Sequence, residues 1–380
     1  MPLDIGLKLG VTLNIVDEPE AATPPTQTDT AFLIASLASS GSPTDVQELR
    51  SSGEARNIYP NEPALITITD AYFNIGGGRM FVSPQVGSVL EAAEQFIPAY
   101  GPGQLIAPEV GDEGAQRQLI QWAWENNHIY LASASASGGP GDVLPAGGDA
   151  VNRAAGLASS EGRFSALCMG VIEIPGLAPG ATRDVDSSVV TAALIARSDI
   201  LTGNPNLAAA GNHTPGAAGQ VDYAVGLKEE LSLESLRYLA AGQVNCYRTV
   251  NKRVRNYGFW SLADLEYHPQ WWDLSGSRTV MAIRAHEEAI AEELLFGQIS
   301  ADGIFIDRYQ SGLASVCAAF QRIGAIYGTD KEPGYRIDMS ANTTEQLATG
   351  LVKATVIVKT SPFAAALEID LVRRAISQPV

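Results

Sequence analysis

The pattern that most restricts the fold is a strict alternation of apolar residues with other residues at the start of the chain. It extends over thirteen residues and is typical of a β-strand with one buried face. Apolar side chains fill every odd position from 3 to 15: Leu3, Ile5, Leu7, Leu9, Val11, Leu13 and Ile15. The next segment, EPEAATPPTQTD, is rich in Pro, Thr and Ala and predicts an extended tether. A strand on a tether must join a sheet elsewhere, either in its own domain or in another molecule.

Between residues 30 and 200, short apolar runs alternate with helical periods. Helical spacing predicts helices at 115–126 and 187–198, the second capped by Asp186 or Ser187. This alternation is typical of an α/β layer with a mainly parallel sheet. The apolar runs predict strands at 31–37, 65–69, 79–83, 104–107, 128–132 and 164–174. A Gly- and Pro-rich loop at 202–220 is expected to separate the two halves of the chain.

The second half predicts a strand near 243–250 and then two long helices, at 279–296 and 312–327. The sequence returns to strands at 350–360. Apolar residues alternate again near the end of the chain, at Leu367, Ile369 and Leu371. On the first long helix the acidic residues are expected to form a solvated face: Glu287, Glu288, Glu292 and Glu293.

Charge and composition exclude several classes of protein. The 380 residues are 46% apolar and carry a net charge of −17, of which −14 lies in residues 1–190. Such an anionic surface repels phosphates, so we expect no nucleic-acid binding. No apolar run is long enough to span a bilayer, no Sec signal is present, and three widely spaced cysteines favour a reducing cytosol. One basic island remains, formed by Arg248, Lys252, Arg253 and Arg255.

The sequence contains no convincing catalytic constellation. Its four histidines are scattered, and it has no G-x-S-x-G elbow, Walker A or G-x-G-x-x-G motif. The run Gly76-Gly77-Gly78 follows a helical stretch and precedes a strand, which is the reverse of a phosphate cradle and indicates a helix C-cap. The best enzyme candidate is loop 136–149, which contains Asp142 and Asp149 but no cation. We therefore expect no catalytic residue, metal or cofactor.

Four stretches of the sequence share one resemblance: TAFLIASLASSGSPTDVQELRS, ITDAYFNIGGGRMFVSP, SSVVTAALIARSDILTGNPNLAAAGN and LSLESLRYLAAGQVNCYRT. Taken in order, they resemble the contractile tail sheath proteins of phages and injection machines. The first two stretches look like the opening of that family. The third is similar to its helix with an Ala-Arg-x-Asp core, and the fourth resembles its entry into the C-terminal domain. The resemblance covers most of the chain, and the order and spacing of these motifs carry it.

The resemblance implies a mixed α/β (α+β) fold with extended arms at both ends. The expected divisions are an N-terminal β arm and tether (1–28), an outer α/β sheath domain (29–222), an inner C-terminal sheath domain (223–345) and a C-terminal β arm (346–380). The arms, with the alternating residues named above, would add strands to a sheet in a neighbouring subunit. The result would be a helical stack of hexameric rings around a tail tube, which contracts without nucleotide hydrolysis.

The same resemblance implies the partners and the location. The expected partners are other copies of this chain, the tail tube protein, and baseplate and tail terminator proteins, with no membrane insertion. The protein would reside in a virion tail or injection particle assembled in the host cytoplasm. The basic island is a candidate tube-facing surface; its alternative is a solvated turn. Two other functions stay open: an α/β small-molecule enzyme with a site near loop 136–149, and another tail or baseplate component of the same fold.

Overall fold

A computed structural model of the chain describes residues 27–39, 41–134, 148–211 and 218–365. Within them the strands are β1 Thr30–Ala35, β2 Gln47–Leu49, β3 Arg79–Pro84, β4 Gln104–Ile106, β5 Ile129–Ser133, β6 Ser165–Met169, β7 Val171–Pro175, β8 Thr182–Asp186, β9 Gln220–Val221, β10 Gly226–Leu227, β11 Val244–Val250, β12 Arg253–Asn256, β13 Tyr335–Asp338 and β14 Thr355–Val358. The helices are α1 Ser52–Ile58, α2 Pro63–Ile75, α3 Val89–Ala93, α4 Glu113–Glu125, α5 Gly148–Leu157, α6 Ser187–Thr202, α7 Leu233–Ala241, α8 Leu274–Leu294, α9 Ile304–Arg322 and α10 Thr344–Leu347.

The largest sheet has nine strands in the order β2-β3-β1-β4-β5-β6-β11-β12-β9. Its centre is parallel, because β1 pairs with β3 and β4, β4 with β5, β5 with β6, and β6 with β11. The outer strands β2, β12 and β9 run antiparallel to their neighbours. Helices cover both faces, as a parallel sheet requires. The predicted mixed α/β class is therefore confirmed.

Strand β1 illustrates how the sequence determines this layer. All six of its residues are buried, with Phe32 and Ile34 in the core on one face and Leu33 in the core on the other. A strand covered on both faces is expected to be a continuous apolar run rather than an alternating one. Helix α6 packs in the core that contains Leu33. Asp186 caps the first turn of this helix by accepting a hydrogen bond from the Ser188 N–H.

The predicted strand at 65–69 is wrong, because these residues belong to helix α2. The β-branched run favoured a strand, but Pro63 occupies the first turn, where it leaves no helical hydrogen bond unmade. Buried Leu65, Ile68 and Tyr72 follow at helical spacing. The helix ends at Gly76, with a φ of 123°, so the glycine run is a helix C-cap as predicted.

The predicted single strand at 164–174 is two strands in different sheets. Gly170 separates β6 from β7 with a φ of 118°, in the left-handed region that favours glycine. The chain turns there from the large sheet into a three-stranded sheet ordered β10-β7-β8. An apolar run alone does not reveal such a break.

The two long predicted helices exist, but each begins earlier than predicted. Helix α8 begins at Leu274 rather than residue 279, because Asp273 caps it by accepting a hydrogen bond from the Gly276 N–H over 2.6 Å. Helix α9 begins at Ile304 rather than residue 312 and ends at Arg322 rather than 327. The two helices pack against each other and carry a small third core.

The large sheet crosses the predicted domain boundary at residue 222. Strands β11 and β12 follow that residue, yet β11 pairs with β6 and β12 with β9. Helices α8 and α9 and strands β13 and β14 lie around the separate third core. The pairing of β13 with β14 crosses the predicted boundary between residues 345 and 346 in the same way. The boundary after residue 28 stays a prediction, and both predicted arm segments, 3–15 and 367–371, lie outside the described residues.

Candidate functional site

Strands β13 and β14 form a two-stranded antiparallel sheet on the helix pair. Tyr335 pairs with Val358 and Ile337 with Val356, so these four side chains share one face. That face packs on the third core, which includes Ile283 of α8 and the α9 residues Cys317 and Phe320. A two-stranded sheet is marginal on its own and needs further strands or a packed face for stability.

Both edges of this sheet are open within the described residues. The Lys359 N–H donates to the Gly334 carbonyl at 2.8 Å, so Lys359 directs its backbone groups towards the β13 side. Successive residues of a strand direct these groups to opposite edges, so those of Val356 and Val358 face away from β13. Because Tyr335 and Ile337 pair with Val358 and Val356, their backbone N–H and C=O groups face away from β14, at the outer edge of β13. No other described strand pairs with either edge, and such edges are templates for strand addition.

The helix pair beneath this sheet contains Glu287, whose carboxylate was predicted from the sequence to lie on a solvated face. Glu287 is half-buried, and its Oε1 is buried with no hydrogen-bond partner. Burial first, and the nearby charge of Glu288 second, together raise the pKa of Glu287 from 4.5 to about 7. The pKa values of Tyr309 and Cys317 are raised by burial first and by the charge of Glu287 second, so both lie close to it. The predicted solvated face is therefore wrong for Glu287.

The basic island lies on the hairpin of β11 and β12. Asn251 and Lys252 form its two-residue turn, and both have positive φ, as a type I′ turn requires. Arg248 lies directly opposite Arg255, and Arg253 lies on the same face because it is two positions before Arg255 in β12. The structure thus places the three arginine side chains on one face and Lys252 at the tip.

These cations are only weakly neutralised. Arg253 makes an ion pair with Asp222 at 3.9 Å, and both side chains are more than half exposed. Arg248 lies over the ring of Tyr257 at 5.6 Å, and the Arg255 Nε is buried without a hydrogen-bond partner. An exposed pair of this kind contributes at most about 1 kcal/mol. The hairpin is therefore a cationic surface on a strongly acidic chain.

A buried ion pair that no sequence pattern predicts joins the two halves of the chain. Arg278 of α8 donates to Asp199 of α6, and both side chains are at least 99% buried. The Asp199 carboxylate also accepts a hydrogen bond of 2.7 Å from Thr28, where the described chain begins after the N-terminal segment. Arg278 also reaches the Leu207 carbonyl at 3.3 Å. Asp199 belongs to the Ala-Arg-x-Asp motif, but nothing in the spacing identified its partner.

Among the residues that the structure describes, those considered for chemistry do not assemble into a site. Asp186 caps α6, and Asp184 pairs with Lys228. Residues 136–147 of the candidate enzyme loop lie outside the described residues. In the described ranges, no three His, Cys, Asp or Glu side chains are grouped so that they could hold a metal ion. None of the helices described there combines the length and apolar character that a membrane crossing requires.

Comparison with solved structures identifies the fold. A chain of the extracellular contractile injection system PVC sheath complex, in the contracted state, matches with a TM-score of 0.71 at 16% identity, covering 92% of this chain and 93% of that one. A chain of the anti-feeding prophage baseplate matches with a TM-score of 0.70 at 14% identity, covering 92% and 94%. A sheath tail protein from Listeria innocua matches with a TM-score of 0.55 at 10% identity, covering 85% and 92%.

The chain has the fold of contractile sheath proteins. The resemblance seen in the sequence is thereby confirmed at the level of the fold. No protein-family model matches the sequence, and no curated protein matches it.

Proposed function

We propose that this protein is a structural subunit of a contractile sheath that polymerises by exchanging strands between subunits. The observation that carries the proposal is the two-stranded sheet of β13 and β14, which has two open edges and an apolar face already packed on α8 and α9. Strand addition supplies main-chain hydrogen bonds at such edges, and alternating side chains fix the register. The similarity to sheath structures over nine-tenths of the chain supports the same role.

The donors are the two segments with strict alternation. The first contains Leu3, Ile5, Leu7, Leu9, Val11, Leu13 and Ile15, and the second contains Leu367, Ile369 and Leu371. With one donor on each edge, the sheet grows from two strands to four, which is enough for a stable packed sheet. Because the donor and acceptor surfaces differ, the contact is heterologous. Repeated contacts therefore build rings or helical polymers rather than closed dimers.

The role is mechanical and needs no catalytic residue, metal or cofactor. In this proposal, hexameric rings stack around a tail tube, and contraction takes the lattice to a lower-energy packing. Baseplate and tail terminator proteins lie at the two ends of the stack, in a particle assembled in the host cytoplasm. The hairpin with Arg248, Lys252, Arg253 and Arg255 faces the tube, where it requires an acidic partner surface. The charge-reversed pair Lys252→Glu and Arg253→Glu should then form sheaths that no longer enclose tubes.

The decisive experiment blocks one sheet edge without disturbing the sheet itself. Val356→Pro removes an N–H that faces away from β13 and keeps an apolar side chain on the core. Val356→Ala retains that N–H while removing more apolar surface, and therefore serves as the matched control. Negative-stain microscopy should show tubes or rings for the wild type and Val356→Ala, but only subunits for Val356→Pro.

A folded but non-assembling variant is the required result. The circular dichroism spectrum of Val356→Pro should match that of the wild type, and deletion of residues 1–17 should likewise abolish polymers and leave the subunit folded. Ile337→Pro, with Ile337→Ala as its control, tests the β13 edge in the same way. Normal tubes from both proline variants would contradict the proposal.

The second candidate function is a baseplate component of the same fold. It is favoured by the similarity to a chain in a baseplate structure. Microscopy of the purified protein separates the two, since a sheath subunit forms long tubes and a baseplate component forms single rings or remains unassembled. An enzyme near loop 136–149 would form discrete small oligomers.

A further inference from the structure

An apolar groove of about 500 Å³ lies where α8 ends and α9 begins. Its lining includes Leu294 of α8, Phe305 and Tyr309 of α9, and Leu351 and Val352. The last two residues lead directly into β14. The groove is therefore a continuation, beyond the end of the two-stranded sheet, of the apolar layer that the sheet covers.

The rim of this groove exposes large apolar side chains at an energetic cost. Phe296 is fully exposed, with a relative accessibility of 104%, and its φ of 62° lies in the left-handed region. A bulky residue in that region is strained and is uncommon without a reason. Leu295 and Leu351, which also line the groove, are each more than half exposed. Exposed large apolar residues gathered at one groove mark a binding surface.

The length of the N-terminal donor exceeds what β14 can pair with. At about 3.3 Å per residue, the segment 3–15 reaches ~43 Å, whereas the four residues of β14 extend ~13 Å. Strand addition therefore leaves most of the donor's apolar side chains beyond the sheet. These side chains need an apolar surface adjacent to the open edge, and the groove is located there.

We propose that the groove binds the part of the 3–15 segment of a second copy that extends past β14. This inference rests on the proposed strand exchange and adds a second contact to it. The apolar side chains of the donor enter the groove, and Phe296 covers them from the rim. The strain at Phe296 is then a feature of the free subunit that binding offsets.

Disulfide trapping in the full-length chain tests this contact, because the three native cysteines are buried. Phe296→Cys is combined with a cysteine on the apolar face of the donor, placed in turn at residue 5, 9 or 13. Ile357→Cys, on the exposed face of β14, is combined with Lys8→Cys on the polar face of the donor and reports strand addition alone. Leu177→Cys, which is 76% exposed on the turn between β7 and β8, replaces Phe296→Cys as the control.

After mild oxidation of assembled protein, non-reducing electrophoresis should show intermolecular multimers from the residue 296 pairs and from the residue 357 pair, but not from the residue 177 control. Multimers from the residue 357 pair alone would keep the strand exchange and overturn the groove contact. The absence of multimers from both would overturn the two together. Cross-linking of residue 296 to a cysteine at position 369 instead would assign the groove to the C-terminal segment and also overturn the proposal.

A measurement of assembly gives an independent result. Phe296→Ser with Leu351→Ser should raise the protein concentration needed for polymerisation by at least about tenfold, because burial of even one large apolar side chain contributes that much. Leu177→Ser removes a leucine that is 76% exposed elsewhere and should leave that concentration unchanged. An unchanged concentration in the double variant would contradict the groove contact.

Discussion

Replacing Glu287 by glutamine should stabilise the subunit at neutral pH and not at acidic pH. The buried Oε1 of Glu287 has no hydrogen-bond partner, and its surroundings include Glu288, Tyr309 and Cys317 rather than a cation. The ionised form is therefore disfavoured in the folded state. Glutamine has the same shape and carries no charge at any pH.

The size and sign of the effect follow from the pKa of Glu287. It is about 7 in the folded chain against an ordinary value of 4.5, so the folded state takes up the proton more readily than the unfolded state. The ionisation penalty is absent below pH 4.5, grows between 4.5 and 7, and is complete above 7. At about 1.36 kcal/mol per pH unit the upper limit is about 3.4 kcal/mol. Because Glu287 is partly open to water, screening reduces this to roughly 1–2 kcal/mol.

Urea unfolding, followed by tryptophan fluorescence from pH 5 to 8, measures this effect. The free energy of unfolding of Glu287→Gln minus that of the wild type should rise by roughly 1–2 kcal/mol across this range. Glu293→Gln, on the exposed side of the same helix, should show a change within about 0.5 kcal/mol. A constant offset at all pH values reports amide packing alone. A difference for Glu287→Gln that does not vary with pH would refute the reasoning.

Two further predictions concern the core. Asp199→Asn leaves the fully buried Arg278 without a counter-charge. The free energy of unfolding, measured by urea denaturation, should therefore fall by about 3–5 kcal/mol. A loss under about 1 kcal/mol would mean that the pair is not buried as described. Gly103→Ala places a Cβ 2.1 Å from the Thr30 carbonyl oxygen and should cost about 1–3 kcal/mol. Gly53→Ala, in helix α1 with no close neighbour, should instead gain up to about 1 kcal/mol, and thermal unfolding of both alanine variants should show shifts of opposite sign.

Elements with one dominant pattern were predictable from the sequence. The buried run of β1 and the capped helix α6 were placed within a few residues, because both depend on local spacing and on an N-cap residue. The first half of helix α2 was missed because its β-branched residues favour a strand, although Pro63 and buried residues at helical spacing indicated a helix. The strand β13 was not predicted at all, because four residues give too short an alternation to detect.

The candidate site was only partly predictable, for two different reasons. Glu287 could have been placed correctly, since it lies four residues after the buried Ile283 and therefore on the same face of α8. The contact between Asp199 and Arg278 could not, because 79 residues separate them and no local rule links the two. The basic hairpin lies between these cases. Its residues were identifiable, but their common face depends on the register of β11 and β12.

The nine-stranded sheet and the sheet of β13 and β14 differ in a way that separates folding from assembly. The nine-stranded sheet is covered on both faces by helices of the same chain, so its stability is intrinsic to the subunit. The sheet of β13 and β14 covers one small core and leaves both edges unpaired within the described residues. Substitutions in the first sheet should therefore change the free energy of unfolding, whereas edge substitutions in the second should change polymerisation alone. Open edges ordinarily invite aggregation, and a chain tolerates them when a specific donor strand competes for them. In the proposed assembly, the segment with thirteen residues of strict alternation serves as this donor, and its length gives it an advantage over any short adventitious strand.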